Sequence, residues 1–119
     1  MEIIRPNLIL KKTIEFSLAL IEYVELLEEK KKFIVAKQLL RSGTSIGANV
    51  HEAQGAESRA DFIHKFKIAA KEAEETKYWL VLCQHSRSYP PCEHLSCSLR
   101  EIEKIVSKII FTSKGAIPK

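Results

Sequence analysis

The chain has 119 residues, 45% of them hydrophobic and 29% charged, with a net charge of +4. That is one domain's worth of chain, too apolar to stay disordered and too often interrupted by Glu and Lys to span a bilayer. A basic balance is compatible with an acidic partner such as RNA or DNA without requiring one. Met-Glu-Ile-Ile-Arg-Pro lacks a basic segment followed by an apolar one, so no secretory signal is read and a cytoplasmic protein is expected. Three cysteines without a regular framework suit a reducing compartment.

Four glycines, four prolines and no useful run of alternating polarity make the chain all-α. A first helix is predicted over about 7–29, with Asn7 as N-cap. Ile9, Thr13, Phe16, Leu20, Tyr23 and Leu27 form one seam at steps of four and three. Leu10, Ile14, Leu18, Ile21 and Val24 lie beside it, more apolar circumference than a helix with one wet face requires. The excess is either a wide core stripe or a surface for another subunit, and we favour the second. Lys30, Lys31 and Lys32 follow, either a solvated turn at the negative helix end or a phosphate patch.

The second helix, over about 33–54, organises the chain. Ala36, Leu39, Gly43, Ile46, Val50 and Ala53 make a thin apolar stripe. Gln38, Ser42, Ser45, Asn49 and Glu52 make a mostly uncharged polar stripe beside it. A glycine inside a helix costs about 1 kcal/mol relative to Ala. Close approach of another helix offsets such a cost, and the polar stripe is expected to hydrogen-bond against protein. Gly55 is expected to end this helix in the left-handed region.

Ser58 caps a third helix over about 58–86, with Asp61 in its first turn. Phe62, Phe66, Ala69, Ala73, Thr76, Leu80 and Cys83 repeat as a heptad seam, asking for bundle crossings near +20°. Its small central residues are expected to receive the glycines of the second helix. Glu72 and Glu75 sit in a neighbouring stripe with Ile68, Trp79 and Leu82, open to pairing with Lys71, Lys77, Arg41 or another subunit. Pro90-Pro91 break the chain before a fourth helix over about 93–113, with Leu95, Leu99, Ile102, Val106 and Ile109 inward and Arg100, Lys104 and Lys108 in a basic row. The fourth helix is expected to fray over 112–114. Four such helices joined by short turns predict a single antiparallel up-down-up-down four-helix bundle over 1–119.

No catalytic constellation emerges. There is no Glu-x-x-His for a di-iron bundle, no zincin, Walker A or dinucleotide fingerprint, and no nucleophile beside Glu52, Glu72 and Glu75. Cys83, His85, Cys92, His94 and Cys97 cluster around one turn, but Cys83 continues the core seam and the spacing fits no zinc knuckle. The chain is read as a non-enzyme without metal or cofactor. His51 and His64 are read as structural.

The run Gln38-Leu39-Leu40-Arg41 through Ser45-Ile46-Gly47-Ala48-Asn49-Val50-His51-Glu52-Ala53, and the later block from Lys71 to Leu80, resemble the 23S rRNA-intervening-sequence protein family. The likeness runs from about Leu8 to Ile110. It implies a four-helix bundle assembled as a ring, commonly a homopentamer. Some members are encoded inside insertions in ribosomal RNA genes. A similar bundle is the accessory protein of diversity-generating retroelements, where a basic pentameric barrel engages nucleic acid and a reverse transcriptase. Gln38, Ser45, Asn49, Glu52, Glu72 and Glu75 are the motif positions, read as structural or subunit-contact groups. The function expected is a ring-forming bundle that binds RNA or DNA through phosphate contacts at Lys37, Arg41, Lys65, Lys67, Arg100, Lys104 and Lys108. The competing expectation is a protein-interaction scaffold with no nucleic-acid role.

Overall fold

The computed structural model describes residues 7–115, all the helices expected. They are α1 (Leu8–Glu29), α2 (Phe33–Ala53), α3 (Arg59–His85) and α4 (Glu93–Gly115). Each helix packs on its neighbours in cyclic order and the backbones of the diagonal pairs do not approach closely, the arrangement of an up-down-up-down bundle. The α2–α3 seam is the most extensive and the α1–α4 seam the thinnest.

Local chemistry sets the helix ends. The Asn7 side chain accepts from the Leu10 N–H, and Ser58 Oγ accepts from the Asp61 N–H at 3.0 Å. Lys31 turns the chain between α1 and α2 with φ 64°, a left-handed position that a non-glycine residue occupies at some cost. Gly55 does not play the part expected of it. No described glycine has positive φ. The chain leaves α2 by tightening instead: Gln54, Gly55 and Ala56 each donate to the carbonyl three residues back. At the other end, α4 continues through 112–114 to Gly115 rather than fraying there.

The core is made of the predicted seams. Ile9, Thr13, Phe16, Leu20, Tyr23 and Leu27 of α1 are all buried, as is the whole thin apolar stripe of α2. α3 contributes Phe66, Ala69, Ala73, Thr76, Leu80 and Cys83, and α4 contributes Leu95, Leu99, Ile102 and Val106. Phe62 is half-buried and lies against Phe66, ring centroids 4.8 Å apart. Each large side chain removed from water contributes about 1.5–3 kcal/mol, offsetting the entropy of ordering the chain.

The glycines of α2 face α1, not α3. A Cβ at Gly43 would lie 2.1 Å from Leu20 Cδ2 and 3.6 Å from Phe16. One at Gly47 would lie 3.2 Å from Thr13 Cβ. The two missing side chains therefore let α1 lie close on α2, while the small residues of α3 serve a different seam.

Candidate interaction surfaces

The two sequence blocks that carry the family likeness meet along the α2–α3 seam. At its centre Ser42 and Thr76, both fully buried, bring their hydroxyls to 2.9 Å. Thr76 Oγ1 is also 2.7 Å from the Glu72 carbonyl. With one hydrogen per hydroxyl, the network closes when Thr76 donates to that carbonyl and Ser42 donates to Thr76. No described buried side-chain polar atom lacks a partner.

Further out on the same seam, Arg41 reaches Glu75 through Nη2 and Glu72 through Nη1 at 3.5 Å. Trp79 Nε1 donates to Glu75 Oε2 at 3.0 Å. The Arg41 hydrogen bond, then that of Trp79, holds the Glu75 carboxyl below its usual range, and Glu75 in turn raises Arg41. Glu52 takes Lys65 at 3.0 Å, which raises that lysine. Asn49 donates to the Ser45 carbonyl at 2.8 Å, and Gln38 and Ser45 are half-buried. Among the partners open to Glu72 and Glu75, the fold selects Arg41. Two of the cations picked out for phosphate binding, Arg41 and Lys65, are thus engaged by carboxylates of their own chain.

The remaining cations concentrate elsewhere. Lys67, Lys71 and Lys77 on α3, and Arg100, Lys104, Lys108 and Lys114 on α4, are all exposed. Over those stretches Glu72 and Glu75 turn to Arg41, and Glu101 pairs with Lys12 across the α1–α4 seam at 2.8 Å. Only Glu74 and Glu103 are left among the cations. Between α3 and α4 runs a groove of about 570 Å³. Ala70, Ala73 and Val106 line it with Lys77, Arg100 and Lys104. Lys77 lies 3.8 Å from Glu74 and 3.9 Å from Glu103. Burial pushes the Glu103 carboxyl up, against the pull of Lys77. Lys37 is exposed on α2, apart from this face. Lys71, Lys77 and Lys114 were not among the expected contact residues. The step of four from Lys67 to Lys71, already in the sequence, marks the first of them.

α1 presents the opposite character. Of its second stripe, Leu10 and Val24 are buried, while Ile14, Leu18 and Ile21 are 48%, 59% and 38% exposed. Ile14 and Leu18 border a shallow depression of about 320 Å³ with Thr44, Gly47, Ala48 and His51 of α2. Glu22, Glu25, Glu28 and Glu29 are exposed and enter no ion pair among the described residues.

The cysteine–histidine cluster disperses. Cys83 and Cys92 are buried, Cys97 is exposed, and His85 and His94 face outward. Among the described residues no three His, Cys, Asp or Glu side chains gather in a metal-binding set. The Tyr23 hydroxyl donates to the Pro90 carbonyl at 2.8 Å and lies beside both buried thiols. Burial raises the tyrosine, and pushes Cys83 up to about 11 and Cys92 upward, so both thiols stay protonated at neutral pH. Lys32 lies over the Tyr89 ring at 5.4 Å, a second tie between the two turns at this end.

Residues 5–110 match the family model described as 23S rRNA-intervening sequence protein, and the chain belongs to that family. It is similar to a crystal structure from Bacteroides thetaiotaomicron described as a protein with unknown function from the S23 ribosomal protein family. That match has a TM-score of 0.82 and 43% identity, and covers 87% of this chain and 98% of the other. Among curated proteins, none matches the chain. No helix among the described residues is long and apolar enough to cross a membrane.

Proposed function

We propose that the protein is a non-enzymatic bundle that self-associates and contacts RNA or DNA through phosphate groups. The observation that carries this reading is the segregation of its surface. One side, on α1, offers Ile14, Leu18 and Ile21 to solvent, and the other, on α3 and α4, gathers lysines in excess of acids. An exposed apolar strip of large side chains marks a protein contact. A lysine-rich face suits contact with the nucleic-acid backbone. Assembly of identical copies multiplies that face on one particle. A closed ring is the form the family likeness supports, with five copies the number expected from it.

The test is paired. Light scattering on a sizing column gives the particle mass, and fluorescence anisotropy with labelled duplex DNA or RNA gives affinity across salt. If Lys67, Lys71, Lys108 and Lys114 each neutralise one phosphate, duplex DNA affinity falls about 150-fold between 50 and 200 mM salt, from a slope of about −0.9 per contact. Affinity flat over that range rules out the phosphate reading. Capture of a protein partner that survives high salt and nuclease would favour the scaffold reading instead.

A further inference from the structure

The groove between α3 and α4 and the outer ridge of α1 have complementary character. The ridge carries Leu18 and Ile21 followed by Glu22 and Glu25, exposed acids without a cation partner among the described residues. The groove is floored by Ala70, Ala73 and Val106, and its walls carry Arg100 and Lys104 together with Lys77, which lies close to the two acids there, Glu74 and Glu103. Among the described residues neither Arg100 nor Lys104 enters an ion pair. α1 and α3 lie on a diagonal of the bundle without close backbone approach, so ridge and groove are separate surfaces of one molecule.

We infer that the α1 ridge of one copy docks in the α3–α4 groove of the next. This deepens the self-association reading above and rests on it. A parallel α1-to-α1 contact would bring Glu22 and Glu25 of two copies together, and like charges placed opposite each other oppose association. Against the groove the same acids meet Arg100 and Lys104, while Leu18 and Ile21 cover its apolar lining. Along their helices Glu22 and Glu25 are about 4.5 Å apart and Arg100 and Lys104 about 6 Å, a difference that long side chains absorb. A contact between two different patches is heterologous, and repeated it closes a ring or extends a chain. Arg100 and Lys104 thereby leave the phosphate-binding set and serve the neighbouring copy. Lys67, Lys71, Lys108 and Lys114 remain for nucleic acid.

Charge reversal tests the pairing, because all four residues are exposed, and circular dichroism is used to check that each variant folds. Wild type is expected to sediment as an assembly. Glu22→Lys with Glu25→Lys is expected to reduce it to the 13.6 kDa monomer. Arg100→Glu with Lys104→Glu should do the same, and all four changes in one chain should restore the assembly. If either double variant keeps the wild-type mass, or the fourfold variant stays monomeric, the inference is overturned while self-association stands. If Arg100→Glu with Lys104→Glu loses nucleic-acid binding but keeps its mass, the groove holds a polyanion and the inference is likewise overturned. A monomeric wild type overturns both.

Discussion

The two sides of α2 solve the same packing problem by different means. Toward α1 it has glycines, and the seam is specified by size: Leu20 and Thr13 occupy the space that side chains at Gly43 and Gly47 would need. Toward α3 it has hydroxyls and charges, and the seam is specified by partners: Ser42 with Thr76, Arg41 with Glu72 and Glu75. A size-specified seam penalises any added atom. A partner-specified seam tolerates volume better but penalises a removed donor or acceptor.

That contrast breaks most visibly at Gly43. Gly43→Val forces a branched side chain into Leu20, which is itself fully buried, and is expected to lose on the order of 3 kcal/mol by urea denaturation. Gly47→Ala sharpens the point. Its Cβ meets Thr13 at a distance that a small shift relieves, and the gain in helix propensity of about 1 kcal/mol offsets the crowding. Its stability should lie within about 1 kcal/mol of wild type.

On the other side, Thr76→Val leaves the buried Ser42 hydroxyl without its partner and is expected to cost about 2 kcal/mol. Ser42→Ala spares the Thr76–Glu72 carbonyl bond and should cost only about 1 kcal/mol. A reversed order of these two would mean that the hydrogens run the opposite way.

The smallest effect belongs to the exposed ion pair. Because Glu75 has its carboxyl lowered in the folded state, its contribution is present above its unfolded range and is lost as pH falls through the folded value. The gap between wild type and Glu75→Gln, read as a difference in urea midpoint, should therefore close in acid and be widest near neutrality. Exposure keeps that gap small.

Much of the fold was legible because helical periodicity is a direct record of burial. The seams of Ile9 to Leu27 and of Leu95 to Val106 could be read position by position. What periodicity does not record is which neighbour stands at a given angle around a helix. The glycine stripe and the polar stripe of α2 were separable in sequence, yet assigning Gly43 and Gly47 to α1 rather than α3 required the handedness of the bundle. Pairing is harder still. Arg41 and Lys65 look like free cations along the chain, and only the register of α2 against α3 brings Glu75 and Glu52 to them. The apolar excess on α1 was visible as surplus circumference. Its separation into buried Leu10 and Val24 and exposed Ile14, Leu18 and Ile21 depended on where α2 sits.

The thin α1–α4 seam has a consequence for how the chain reaches this state. Its contacts join the two ends of the chain, as in Lys12 with Glu101, 89 residues apart. α2 and α3 meet across a short turn, so their contacts carry little loop-closure cost. Contacts that span the greatest length of chain carry the most and slow folding. The hairpin of α2 and α3, the most extensive seam, is thus expected to form before α4 docks on α1 and completes the circle.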